Sequence, residues 1–459
     1  MKLAASILTV GAIVASLGLA LRAGIGPFVL AGVRVASPIG LETVFGCAFV
    51  ALLFIKPAAK LAATKFAVPL AAALVLIALV YAPNLNDPFL SDDYILAAHA
   101  THDPSQLAAL FHTPGGDGSF RPLGYVYFGL LRLFFGANSL AWHLVALTLH
   151  LANCALLYFI VKRLWNRAEI AVAAALLFGL HGSRPETVVW SAGNFDVLAC
   201  IFAFAATLCA LRRSLVGACA FTALALLSKE SAYSTPLLIL GLAYAAGRTR
   251  ELLRPILGSF AVAAVMFVWR WTMFHGPGGY IDPATGQAQV LSFHFGSALK
   301  ALLLRVWALM LFPVNWEAFT SSIWIAIAIG VAAWALLSAP SPARRISVAL
   351  LATTVATLMP AYHLALIGPD LNGSRILYLP ATAFCILCAH LVHSRRATAT
   401  AMVLASIIML RVNLNAWHED AVLADQVCTG LTTQPPVHDR KGIVFFANGY
   451  AECRQLKGK

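Results

Sequence analysis

Residues 139–161 read SLAWHLVALTLHLANCALLYFIV and are followed at once by Lys162 and Arg163. The run carries no ionised side chain. As a helix rising about 1.5 Å per residue it is long enough to cross a hydrocarbon layer. Working outward, similar runs recur from end to end, at 4–21, 41–55, 67–83, 169–181, 196–211, 215–228, 231–246, 256–274, 321–338, 346–366, 376–392 and 398–414. The chain is 60% hydrophobic and only 11% charged, with a mean hydropathy of +0.82. Hydrocarbon offers the backbone no partner, so such runs must close their own hydrogen bonds as helices. The expectation is an all-α, polytopic helical membrane protein with about 11–14 crossing helices. A soluble class is excluded for all but the C-terminal tail.

The net charge of +13 would point to nucleic acid in a soluble protein. Here Lys and Arg gather in short loops: Lys56/Lys60/Lys65, Lys162/Arg163/Arg167, Arg212/Arg213, Arg248/Arg250/Arg254, Arg344/Arg345 and Arg395/Arg396. That pattern fits the positive-inside rule and anionic headgroups, and it excludes a nucleic-acid partner. All six loops fall on the cytoplasmic side if 293–313, with Lys300 and Arg305, lies as an interfacial or re-entrant helix. Four divisions follow: N-terminal helices over 1–83, an extracytoplasmic loop over 84–138, a membrane core over 139–414 and a short extracytoplasmic tail over 415–459. Residues 1–21 fit a cleaved signal peptide or a retained first helix; the spans that follow favour the helix.

Of nine cysteines, seven lie in apolar segments as packing residues, Cys385 and Cys388 among them. Cys428 and Cys453 lie in the tail and form a disulfide if it is outside the cytoplasm.

The remaining loops hold the unusual polar groups. Asp92-Asp93 in SDDYI is open to three readings: a general base, a metal site for Mg²⁺ or Mn²⁺, or a helix cap. His99, His102, Asp103, His112 and Asp117 have no metal-ligand spacing and read as a solvated loop. Arg121 in FRPL precedes Pro122, where a helix starts; it either snorkels or grips a phosphate. His143, His150 and Asn153 share one helix face and line the inside of the bundle. HGSRPETVVWSAGNFD carries His181, Arg184, Glu186, Trp190, Asn194 and Asp196 in one polar hairpin. Lys229-Glu230 stands between two apolar runs, where charges need partners. Arg375 in NGSRILYLP, near Tyr378, is a cation at the lip of a bundle, suited to a lipid phosphate or to interfacial anchoring.

In order, DD, FRPL, H-x6-H, HGSRPETVVWSAGNFDVLA, LLSKE, SRILYLP and NAWHED resemble the transmembrane O-mannosyltransferases that carry tetratricopeptide repeats (the TMTC family), within the GT-C class of polytopic glycosyltransferases. The resemblance covers roughly 84–425. Ala146, Asn194 and Ser374 depart from it, standing where the family has Asn, Arg and an acid, and the tail shows no 34-residue repeat.

The resemblance implies a GT-C-like membrane glycosyltransferase. It would move mannose or a similar hexose or pentose, with inversion, from a polyprenyl phosphate to a hydroxyl of a protein, glycan or lipid at the extracytoplasmic face. A bacterial inner membrane, with the site toward the periplasm, fits the Ala-rich composition. Asp92 or Asp93 would be the catalytic base. Arg121, Arg184, Lys229 and Arg375 would hold the donor phosphate, supported by His150, His181, Glu186, Asp196, Glu230 and Tyr378. The alternatives are a lipid-linked sugar transporter or flippase, and a non-catalytic GT-C-like assembly protein.

Overall fold

Each apolar run closes its own ladder, as a backbone in hydrocarbon must. The computed structural model describes residues 2–30, 33–35, 37–56, 69–113, 118–276, 278, 299, 301–318, 321–358, 367–430 and 450–457. Lys60, Lys65, Asp117, Lys300, His438 and most of 275–292 lie outside the described residues. The helices are α1 (Lys2–Ile25), α2 (Ile39–Ile55), α3 (Leu70–Tyr81), α4 (Asp92–His99), α5 (Pro104–Ala109), α6 (Pro122–Phe135), α7 (Ser139–Trp165), α8 (Ala168–Gly179), α9 (Pro185–Val188), α10 (Asn194–Leu211), α11 (Leu215–Ser228), α12 (Thr235–Ala245), α13 (Leu253–Phe274), α14 (Val306–Leu311), α15 (Ile323–Ser338), α16 (Arg344–Leu358), α17 (Ala381–Val392), α18 (Arg396–Thr429) and α19 (Tyr450–Leu456). A short antiparallel hairpin, β1 (Phe28–Leu30) with β2 (Val33–Val35), joins α1 to α2 and pairs Phe28 with Val35. The chain is an all-α polytopic membrane protein, and five of the described helices are long and apolar enough to cross a bilayer by length and composition.

The centre of the bundle is α17, every residue of which is buried. It is largely apolar, with Thr382 and His390 as its polar members, as suits a helix with neighbours on every side. It packs on α8 and α16, and α7 and α10 close the same core. Small residues allow this approach: a Cβ at Gly46 of α2 would stand 3.0 Å from the Trp307 Cβ of α14.

Helix direction sorts the loops into two ends. The Lys56 ammonium donates to the carbonyls of Leu336, Leu337 and Ala339, Arg248 donates to the carbonyl of Arg163, and Trp165 meets His390 edge-on. These contacts, with Arg213 on Glu251, join the described basic loops pairwise. At the other end, Leu85 and Phe89 meet His143 and Trp142 near the start of α7.

Three expectations are sharpened. Within 293–313, residues 306–311 are buried against α2, where Arg305 pairs with Glu42 and Trp316 donates to the same carboxylate at 2.8 Å. The helix expected over 398–414 runs on to Thr429 and stops at Gly430, whose φ is +78°. Hydropathy ends at 414, but helix propensity does not until that glycine. Third, 84–138 is not only a loop. Its α6 packs on α11 and carries Phe128 against Phe195 and Trp142, though at about 21 Å it is too short to cross alone.

Candidate active site

Asp92 and Asp93 open α4 from a turn in which buried Ser91 takes a φ of 52°. A non-glycine residue in that left-handed region stores strain, so its surroundings must hold it there. They do so through Asp93. Its buried carboxylate accepts hydrogen bonds from the backbone N–H of Ala192 at 2.8 Å and of Leu90 at 3.3 Å. The Trp190 indole donates to the Leu90 carbonyl at 3.1 Å. Adjacent Asp92 remains half-buried, its Oδ1 within 3.4 Å of the Ser91 hydroxyl. One acid anchors the turn and the other stays open. Burial pushes the Asp93 carboxyl up to about 8, against the backbone donors that favour its charge.

The segment that receives Asp93 is the hairpin of α9 and a 3-10 turn at Ser191–Gly193. Its closeness depends on Gly193, where a Cβ would lie 2.1 Å from the Glu186 carbonyl oxygen. Glu186, fully buried, takes in the 373–375 turn. Its Oε1 accepts from Gly373 N at 3.0 Å and from the Arg375 guanidinium; its Oε2 accepts from Arg375 N at 2.8 Å and the Ser374 hydroxyl at 3.2 Å. Ser374, where the resemblance expects an acid, thus donates to the carboxylate that holds Arg375. The Arg375 guanidinium lies 5.1 Å from the Trp190 ring centre, and Trp190 packs on Trp417. Trp190 thus touches both Leu90, just before the doublet, and Arg375.

A second knot forms where α10, α11, α6 and α13 converge. Lys229 pairs with Asp196, whose Oδ1 also accepts from Ser231. Beside it, Glu230 Oε2 accepts from Arg121 Nε at 2.7 Å, and Oε1 accepts from Arg270 Nη1 and Phe120 N, both at 3.1 Å. Burial would raise the Glu230 carboxyl, but Arg121 and then Arg270 outweigh it and hold it at about 2. The Arg121 guanidinium lies 5.4 Å from the Phe195 ring centre. Gly124 gives that ring room, since a Cβ there would come within 2.3 Å of it. The first turn of α10, with Asn194, Phe195 and Asp196, links this knot to the hairpin.

Arg184 lies deeper. Pro185 starts α9 and places Arg184 in the core, fully buried between the rings of Phe178 and Tyr378 at 4.3 and 4.5 Å. Its Nε donates to the Phe178 carbonyl. Its Nη1 and Nη2 are buried and find no hydrogen-bond partner among the described residues. His150 and Tyr378 bond to each other at 2.6 Å in the same core, and Asn153 reaches the Tyr378 hydroxyl at 3.3 Å. His181 contacts Ser183 and the Met310 carbonyl. These three supporting residues are buried and brace the bundle under the hairpin.

Both oxygens of Asp93 take a backbone donor, and Asp92 is the more open acid of the doublet. Among the described residues, no three His, Cys, Asp or Glu gather around a common point.

Sequence reasoning missed Arg270. Its signal was an arginine within the apolar run of α13, a position that demands a partner. It also missed Asp87, held by His418 at 2.6 Å and by Asn84 at 2.8 Å. Cys428 and Cys453 form a disulfide that ties α19 to α18. Helix α19 packs on α4, and Glu452 reaches His99 at 3.4 Å.

Over 181 residues the chain is 32% identical to Protein O-mannosyl-transferase Tmtc1 of Drosophila melanogaster, covering 36% of this chain and 21% of that protein. The chain thus spans about a fifth of the length of the curated relative it matches. No protein-family profile and no solved structure matches it.

Proposed function

We propose that the chain is a membrane glycosyltransferase that moves a mannose-like sugar from a polyprenyl phosphate to a hydroxyl, with inversion, at the extracytoplasmic face. The similarity to a protein O-mannosyl-transferase supports sugar transfer. The positive-inside pattern supports the face. The observation that carries the reading is the division of labour within the doublet: Asp93 is pinned to the hairpin that holds Arg375, and Asp92 is held open beside it on a strained turn.

In this reading the acceptor oxygen attacks the anomeric carbon and gives its proton to the Asp92 carboxylate. The glycosidic C–O bond breaks and its electron pair passes to the lipid phosphate. Arg375, Arg121 and Lys229, fixed by Glu186, Glu230 and Asp196, stabilise the charge that grows there. Arg270 positions Arg121 by sharing its carboxylate. No step needs a metal, and no nucleotide site is required because the leaving group is a lipid phosphate.

The test is transfer by the purified full-length chain from a radiolabelled polyprenyl-phosphate mannose to lipid, glycan and peptide hydroxyls. Transfer by the unaltered chain and its loss in Asp92→Asn are expected. An Asp92→Asn variant that melts normally and transfers at full rate would remove the base from the mechanism.

A further inference from the structure

The end of the bundle away from the acid doublet holds a second cleft that the transfer reaction does not use. It lies between α7, α10 and α11, with a volume of about 570 Å³. Lys162, Arg163 and Arg212 line it together with Leu156, Phe159, Ala205, Leu208, Cys209 and Phe221. Lys162 stands 19 residues along α7 from His143, about 28 Å along the axis, so the cleft and the doublet lie near opposite faces of a bilayer.

The charge arrangement is one-sided. No carboxylate lines the cleft. The nearby acid, Glu251, is taken by Arg213 at 2.8 Å and Arg248 at 2.6 Å. Among the described residues, the side chains of Lys162, Arg163 and Arg212 have no ion-pair partner, whereas Arg121, Arg270, Lys229 and Arg375 at the other end are each held by an acid. Loop cations at this end already serve topology, and cations at helix C-termini offset the dipoles of α7 and α10. Neither role calls for a cleft of this size between them, or for its apolar walls. Below the three cations, Leu156, Phe159, Leu208 and Phe221 continue about 9 Å down the helices, and Phe159 is half exposed on the lipid side.

We propose that this cleft binds one membrane lipid with an anionic phosphate headgroup, the phosphate among Lys162, Arg163 and Arg212 and an acyl chain along the apolar walls. A free phosphate would use the cations but not the walls, and a neutral lipid the walls but not the cations. The proposal is independent of sugar transfer.

The test uses the purified full-length chain in detergent, with bound lipid counted by native mass spectrometry during titration with phosphatidylglycerol or phosphatidylcholine. The unaltered chain is expected to keep one phosphatidylglycerol at least about tenfold more tightly than phosphatidylcholine. The combined change Lys162→Gln, Arg163→Gln and Arg212→Gln should abolish that preference. If this variant fails to insert, the two-lipid comparison on the unaltered chain still decides, and the single change Arg212→Gln should weaken retention. Equal retention of both lipids, or full retention in a folded triple variant, overturns the proposal. So does displacement of phosphatidylglycerol by millimolar inorganic phosphate, which would mark a site for a free anion.

Discussion

The two ends of this bundle carry similar residues and treat them differently. At the doublet end, Arg121, Arg270, Lys229 and Arg375 are nearly all buried, and each is matched to a carboxylate that is itself mostly inside the protein. At the opposite end, Arg212 and Arg213 are exposed, and Glu251 serves its two arginines in water. Composition does not distinguish a paired cation from a solvated one; burial does. A cation without water must be matched, and the match fixes its place to within a hydrogen bond. A cation in water is free to move and contributes little by pairing.

This contrast can be broken or sharpened by experiment. The largest effect is expected from Asp92→Asn, which should slow transfer by roughly 10²–10⁴-fold with an unchanged melting temperature; a comparable loss from Asp93→Asn without any loss of stability would reverse the assignment of the pair. Next, Glu230→Gln strands two buried guanidiniums and should cost about 3–5 kcal/mol in unfolding, discounted toward the lower value because the carboxylate is partly open. The matched change Glu251→Gln at the opposite end should leave the melting curve nearly where it was. If the two variants melt alike, the distinction between the ends fails.

Smaller effects follow. Cys453→Ser releases α19 from α18, and hydrogen exchange should rise in α4 and α19 but not in α10–α12; protection unchanged in α4 would mean that the disulfide does not support the doublet. A pH effect is expected as well. Asp93 is raised from about 4 in the unfolded chain to about 8, so its contribution is complete below pH 4 and is lost as pH rises toward 8. Comparing thermal unfolding from pH 5 to 8, the unaltered chain should lose more stability than Asp93→Asn; parallel profiles would show that the buried carboxyl does not titrate.

Much was determined by the residue order alone. Runs without charge and of lipid-crossing length dictate helices, because hydrocarbon permits little else, and basic loops dictate which ends gather. The tail disulfide was legible from two cysteines in a polar segment. Asp92, Arg121, Glu186, Lys229, Glu230 and Arg375 could be picked out because an ion in an apolar chain needs a reason. What the order could not decide was which ion meets which. Asp92 and Asp93 are neighbours with the same chemistry, and only the approach of Ala192 makes one an anchor and leaves the other open. Arg184 belongs to a polar hairpin in sequence and is fully buried between two rings in space. Arg270, hidden in an apolar run, shares a carboxylate 40 residues away. Hydropathy is a property of each stretch by itself, whereas pairing and burial depend on elements far apart in the chain, so only their packing settles them.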